Sequence, residues 1–461
     1  MKKKTKALAL TLGLVSSSSF AVVAPGPATV PPPSVPPSFN LMPYITVTTS
    51  PYVAMETAYD ASDIWSQQSS MNEDLFLLQY RQQLEHSLEA VHHSLNNRPI
   101  LEISGALEAD AIETFSTFTQ TKANGDINLN TAELDFNAMV GTWANGFMSI
   151  DYDGAPPETG YRTTNSRLYL SRGWVTIGNL DVVPVYLTAG QMYLPFGRYS
   201  SNMVTTPVTL SLARVEDRAL LLGYYHEGLY ASIYTYPGDN ANASDTIFHD
   251  GGFNLGYKFT PVHDLGVNVG GGVISNLGSS QGMESTGASS PQFPGFSNIF
   301  IDGVNEGDYP FVHTVPGGDL HTEISYGPWT LAAEFVAALR DFAEEDLSYN
   351  GHGAAPKASH IEIARSFMIF NQGFTGGFAY GHTWESVGLN LPQDSFTTYL
   401  RTSFWKNTIE ALEFRHDNDY GTGDTSTAAT NFFHNGDECG FFNQGTGKSR
   451  NLLLAQVGVY F

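Results

Sequence analysis

Beyond Ile100 the chain leaves any helical period and alternates apolar with polar residues, and this alternation restricts the possible folds more than any other feature. Leu101, Ile103, Leu107 and Ala109 interleave with Glu102, Ser104, Glu108 and Asp110. Ala132, Leu134, Phe136, Ala138 and Val140 interleave with Glu133, Asp135 and Asn137. Near the end, Phe396, Thr398, Leu400, Thr402 and Phe404 interleave with Ser395, Thr397, Tyr399, Arg401 and Ser403. Successive side chains of a strand point to opposite faces, so each segment has one apolar and one polar side. Two architectures use such strands: a soluble β-sandwich with its polar face outward, and a barrel with lipid outside and water within.

Connection lengths separate the two. Sixteen segments read as strands: 99–110, 127–141, 146–153, 163–177, 184–194, 217–225, 228–236, 250–259, 265–275, 319–327, 328–338, 359–370, 373–384, 395–405, 407–417 and 450–461. Every even-numbered strand is followed by a short connection, such as Thr142–Asn145, Gly178–Val183, His226–Glu227, Thr260–Asp264, Asn371–Gln372 or Lys406 alone, with none at Gly327-Pro328. Odd-numbered strands lead into longer ones, including 195–216, 276–318, 339–358 and 418–449. An even strand count, short turns at one rim and long loops at the other predict an all-β transmembrane fold, a 16-stranded antiparallel outer-membrane β-barrel over residues 98–461. A sandwich has no reason to segregate its loops. The ending Ala455-Gln456-Val457-Gly458-Val459-Tyr460-Phe461 resembles the C-terminal signal of bacterial outer-membrane proteins, which implies the barrel-assembly machinery as a partner beside outer-membrane lipid. Aromatic pairs at strand ends (Tyr224-Tyr225, Tyr234 and Tyr236, Trp384, Phe404-Trp405, Tyr460-Phe461) suit the two membrane interfaces, although β-propensity alone also favours them.

Composition removes competing classes. At 42% hydrophobic the chain is not disordered, and one Cys excludes a disulfide framework or a CxxC zinc site. With 46 Asp+Glu against 22 Lys+Arg, it is no binder that neutralises nucleic-acid phosphates. No apolar run approaches the ~20 residues of a spanning helix. Residues 1–21 read as a signal peptide, with Lys2, Lys3, Lys4 and Lys6 before the apolar Ala7–Val15 and small residues at Ser19 and Ala21. Residues 22–59 carry Pro25, Pro27, Pro31, Pro32, Pro33, Pro36, Pro37, Pro43 and Pro51, and read as an extended tether without a core.

Residues 60–97 read as a coiled-coil helix. Between 62 and 95 there is no Gly or Pro, Ser62 or Asp63 can cap the start, Arg98-Pro99 ends it, and Leu77, Leu84, Leu88, Val91 and Leu95 recur at heptad spacing. That stripe predicts either a homo-oligomer through residues 62–95 or a helix laid on the rest of the chain, in both cases on the periplasmic side.

Sixteen strands leave an aqueous lumen, so the expected function is a pore whose inward charges select what passes. Parity places Glu102, Glu108, Asp110, Glu133, Asp135, Arg167, Tyr169, Glu323, Glu334, Tyr399, Arg401, Glu413, Arg415 and Asp417 inward. The segment Gln191–Tyr199 leaves its strand through Pro195 and Gly197 and carries Arg198, with Arg214 and Arg218 at the far end of the same loop. Arginines at the mouth or folded into the lumen can hold carboxylates or a ferric chelate bidentately. Arg198, Arg214, Arg218, Arg401, Arg415, Tyr399 and Asp417 are therefore the candidate ligand-binding residues. Arg415-His416-Asp417-Asn418-Asp419-Tyr420-Gly421 reads as a cation-binding stretch or as a turn-rich rim, and Asp341, Glu344, Glu345 and Asp346 as a solvated acidic rim. No GxSxG elbow, HExxH helix or P-loop occurs, so no enzyme, catalytic residue, metal site or cofactor is expected.

The whole arrangement, with Ser166-Arg167-Leu168-Tyr169-Leu170, Val185-Tyr186-Leu187-Thr188-Ala189-Gly190-Gln191-Met192-Tyr193-Leu194-Pro195-Phe196-Gly197 and Leu412-Glu413-Phe414-Arg415-His416-Asp417, resembles the LbtU family of siderophore porins, the legiobactin-receptor type. The resemblance covers nearly the whole mature chain and implies uptake of a ferric polycarboxylate siderophore across the outer membrane. It carries over no ligand-contact residues. Residues 22–97 are too short and too Pro-rich for the plug of a 22-stranded transporter, so a water-filled barrel without a plug domain is expected. A general diffusion porin and a barrel-anchored adhesin remain as alternatives.

Overall fold

The structure, a computed structural model, describes residues 38–42, 45–49, 72–90, 99–116, 118, 124–153, 167–238, 248–262, 265–284, 293, 295–296, 300–301, 304–305, 312–405, 407–434 and 437–461. The signal-peptide reading of residues 1–21, most of the Pro-rich segment, and Val91 and Leu95 of the heptad stripe lie outside these.

Sixteen long strands form the wall: β1 (Ile100–Ser116), β2 (Asn124–Val140), β3 (Ala144–Asp153), β4 (Arg167–Gly178), β5 (Val185–Tyr193), β6 (Glu216–His226), β7 (Leu229–Tyr236) and β8 (Asp250–Val262), then β9 (Leu265–Ile274), β10 (Gly317–Tyr326), β11 (Trp329–Ala338), β12 (Lys357–Ile369), β13 (Gln372–Trp384), β14 (Asp394–Thr402), β15 (Thr408–Asn418) and β16 (Ser449–Tyr460). Each pairs antiparallel with its sequence neighbours. β16 then returns to β1, from Tyr460↔Ala106 to Asn451↔Ser116, and closes the barrel. All sixteen segments read from the alternation are strands, with β1 and β2 reaching further into the outer loops than expected.

The two faces are chemically distinct. Val175, Ile177, Leu220, Leu222, Ile361 and Ile363 point outward and are exposed, while their neighbours Trp174, Thr176, Leu221, His360 and Glu362 point inward and are buried. Trp143, Tyr326, Trp329, Phe370, Phe404 and Trp405 are exposed at the short-turn rim. Tyr234 and Tyr236 correct the aromatic-belt expectation, since both face inward and are buried. Several inward tyrosines lie over a glycine directly opposite in the register: Tyr186 on Gly223, Tyr230 on Gly256, Tyr234 on Gly252 and Tyr399 on Gly377. A Cβ at any of these glycines would meet the ring within 2.4 Å, so the ring needs the bare backbone beneath it.

Two expectations about the N-terminal segment change. Within the Pro-rich stretch, Ser38–Met42 and Ile45–Thr49 form a hairpin whose second strand runs parallel to Ile100–Ile103 of β1. Of the 60–97 expected as helix, Glu73–Ala90 forms α1 and sits inside the barrel, while 60–71 and 91–97 lie outside the described residues. Leu77 is buried there and Leu84 packs on the same core, so these two heptad positions are spent on the barrel and not on a second helix. The lumen therefore holds a helix, although no plug domain stands among the described residues. Chain length argued against a folded plug domain but not against one amphipathic helix, which needs only a wall to cover its apolar stripe.

Candidate functional site

The lumen holds two inserted elements on opposite sides. The first is α1, against β1–β5. Its start is acidic, with Glu73 and Asp74 in the first turn, as the helix dipole favours. Arg172 of β4 donates to Glu73 at 2.5 Å and to Glu133 of β2, with its guanidinium 5.2 Å from the Tyr193 ring. Thr188 of β5 donates to Asp74 at 2.6 Å. Two turns on, Tyr80 donates to Glu102 of β1 at 2.8 Å, and Arg81 donates to Asn145 of β3 at 2.6 Å and to the Gly178 carbonyl. Gln82 reaches Asp181 in the short turn after β4. The helix therefore runs from mid-lumen down to the short-turn rim, touching only inward-facing groups.

Arg172 is ringed by carboxylates. Glu73, Glu133, Asp135, Asp151 and Glu216 surround it, and its side chain is 3% exposed. Among the described residues, Glu73 Oε2, Glu133 Oε2 and both oxygens of Asp135 have no hydrogen bond of normal geometry. Burial pushes the Glu73 carboxyl up to about 7 against the opposing pull of Arg172, and burial also raises Asp74.

The second inserted element is the loop from Leu194 to Val215, which includes the short helix α2 (Val208–Ala213). It leaves β5 through Pro195-Phe196-Gly197, with positive φ at Gly197 and at Tyr199, and turns inward. The opposite wall holds it by carboxylates. Glu334 of β11 accepts from the Arg198 and Tyr199 amides at 2.5 and 3.1 Å and from the Thr209 hydroxyl at 2.7 Å. Glu362 of β12 accepts from Ser201 at 2.6 Å, from the Asn202 amide at 2.9 Å and from the Tyr399 hydroxyl at 2.5 Å. Glu413 of β15 accepts from the Val204 amide at 2.5 Å and from the Thr205 hydroxyl. Arg401 and Arg415 complete the attachment by donating to the Asn202 and Thr206 carbonyls at 3.1 and 3.2 Å.

Between these elements the inner wall of β14–β16 and β1 stays partly open. Arg401, Arg415, Glu108 and Ile112 are half-buried there, and the Arg450 side chain is 32% exposed. Asp417 is buried and accepts from Arg415 at 2.7 Å and from Arg450 at 2.5 Å, so two guanidiniums share one carboxylate. Among the described residues no group of His, Cys, Asp or Glu has metal-holding geometry.

The structure thus brings Arg401, Arg415, Tyr399 and Asp417 into the lumen, with Arg198 close by at 3.3 Å from Glu323. Arg214 is tied to Gln281 at 2.7 Å and stacks on Tyr193 beside the loop. Arg218 is a correction. It lies on β6 with Leu220 and Leu222, and all three point outward, because the strand's buried set is Ala219 and Leu221. Glu362, Arg450 and Arg172 escaped the sequence reading. The first two obey simple parity, Glu362 between Ile361 and Ile363 and Arg450 opposite Asp417. Arg172 does not: a bulge pairs Ser149 with Arg172 but Ile150 with Leu170, and this extra residue inverts the parity counted from Arg167 and Tyr169.

No family model matches the chain. A UPF0422 protein of Legionella pneumophila strain Philadelphia 1 is 39% identical over 423 residues, covering 90% of this chain and 76% of its own length. A UPF0422 protein of Coxiella burnetii is 34% identical over 420 residues, covering 89% and 83%. Among solved structures, an anion-selective porin from Comamonas acidovorans matches at a TM-score of 0.49 and 9% identity, covering 79% of this chain and 100% of its own. The outer membrane channel DcaP of Acinetobacter baumannii matches at 0.48 and 12% identity, covering 79% and 97%. The barrel assignment itself rests on the strand pairing.

Proposed function

We propose that this chain, which belongs to the UPF0422 proteins, is a channel of the bacterial outer membrane selective for an anionic chelate. Closure of β16 on β1 joins the sixteen wall strands into one ring, which is what hydrocarbon demands, and the outward side chains are apolar. One observation carries the reading. The inner wall carries many buried polar and charged side chains, and between α1 and the inserted loop it keeps a partly open strip that bears Arg401, Arg415 and Arg450 on three successive strands. Asp417 bridges two of them, and Glu108, Asp110 and Glu413 stand on the same face, so the guanidiniums are set among carboxylates in a strongly acidic protein. Guanidiniums in a row match the fork geometry of several carboxylates on one ligand. A ferric polycarboxylate siderophore, the solute that the resemblance to siderophore porins implies, has that chemistry.

Purified protein in planar bilayers is expected to conduct, with the current falling when a ferric carboxylate siderophore is added. Arg401→Gln with Arg450→Gln should abolish that block and leave the current of small ions near the wild-type value. Each charge-assisted contact is worth about 1.5–3 kcal/mol when desolvated and less at a wet wall. Absence of any current would sink the channel. Current without block would leave a general diffusion porin in place of a siderophore channel.

A further inference from the structure

The geometry points to α1 as the gate of this channel: seated against β1–β5 it narrows the lower lumen, Arg172 is the catch that holds its first turn, and full conduction requires that turn to leave. The inference rests on the channel reading above and adds how the same lumen opens.

Three observations carry it. First, α1 belongs to no ladder. Among the described residues every hydrogen bond between the helix and the wall uses a side chain, so its departure breaks no strand pairing. Second, the seat is polar where the helix enters deepest. Leu75, Leu77 and Leu78 are buried, but Glu73 and Asp74 are pressed into a wall that already holds Glu133, Asp135 and Asp151. A single guanidinium answers both Glu73 and Glu133, and four carboxylate oxygens around it have no hydrogen bond of normal geometry. Buried charge paired this sparingly costs desolvation that the pair alone does not offset. The first turn is therefore the costly part of the seat, while Leu75, Leu77, Leu78 and Tyr80 hold the rest of the helix. Third, its position makes it obstructive. Contacts run from Thr188 and Arg172 near mid-strand to Asp181 in the short turn, across the inner faces of five adjacent strands.

The test is a reversible lock in the full chain. Asp74 and Thr188 touch at 2.6 Å through short side chains, so Asp74→Cys with Thr188→Cys, in a Cys439→Ser background, joins helix to wall when oxidised. Oxidised protein in planar bilayers should show a severalfold lower current than the same protein after dithiothreitol. Arg172→Gln, which frees the catch, should raise the open fraction about tenfold or more, since one partner of a buried pair is lost. A bridge that forms and leaves the current unchanged overturns the gate. Failure of the two thiols to be joined, by oxidation or by a short bifunctional thiol crosslinker, in protein that shows heat-modifiable mobility on SDS gels overturns the seated helix itself. No current from any form, oxidised, reduced or Arg172→Gln, overturns the channel reading instead.

Discussion

Glu73 is the residue on which the chemistry of the lumen turns. It faces Arg172 from β4, Glu133 from β2 and Glu216 from β6, and burial pushes its carboxyl up to about 7. Free of the barrel its ordinary value is near 4.5. A carboxyl raised in the seated state binds its proton there more tightly, so seating strengthens as pH falls from above 7 towards 4.5 and gains nothing further below. Asp74, raised in the same direction, adds the same sign. Current through wild-type protein should accordingly fall between pH 8 and pH 5 in bilayer recordings. Glu73→Gln should flatten that dependence and give a lower current at pH 8, because the neutral amide carries no desolvated charge. A current that rises on acidification would contradict the assignment. At the same scale, Arg218 shows how a charge can be read onto the wrong side: its neighbours Asp217 and Glu216 are polar, and only the buried Ala219 and Leu221 reveal which face is inward.

At the level of elements, the inserted loop illustrates how an acidic wall anchors backbone. Glu334, Glu362 and Glu413 sit on three different strands, and each accepts at least one amide of residues 198–205. A carboxylate that accepts two or three amide or hydroxyl bonds is well satisfied without a cation, and each bond to a charged acceptor contributes about 1.5–3 kcal/mol. Glu362→Ala removes the acceptor of Ser201, Asn202 and Tyr399 together. It should loosen the loop, enlarge the single-channel conductance and increase cleavage of the loop by added protease, while the unheated gel mobility stays that of a closed barrel. The bulge in β4 is the matching lesson for strands. One extra residue turns Arg172 inward, and the catch for α1 exists only because of it.

Over the whole molecule, closure of β16 onto β1 joins the sixteen wall strands into one ring, and Phe461 pairs with Gly105 through both backbone bonds at 3.0 and 2.7 Å. Protein refolded in detergent should therefore resist SDS and migrate differently before and after boiling; identical mobility would contradict a closed wall. Deleting residues 73–90 should leave that shift intact, because no ladder includes the helix. The period-two alternation and the loop lengths determined the wall in advance, since side-chain direction in a strand repeats every second residue and lipid rewards one face uniformly. The same parity located Glu102, Glu133, Asp135, Glu323, Glu334, Tyr399, Arg401, Glu413, Arg415 and Asp417 on the inside. Tertiary structure alone decided what fills the barrel. A heptad stripe says that a helix must cover Leu77 and Leu84, but a second helix and a barrel wall cover them equally well. Whether Arg198 reaches a ligand or Glu323, and which carboxylates hold the loop, depends on contacts between residues more than a hundred positions apart. No local pattern encodes such pairs, because each partner alone is simply a polar group that must find an answering one when buried.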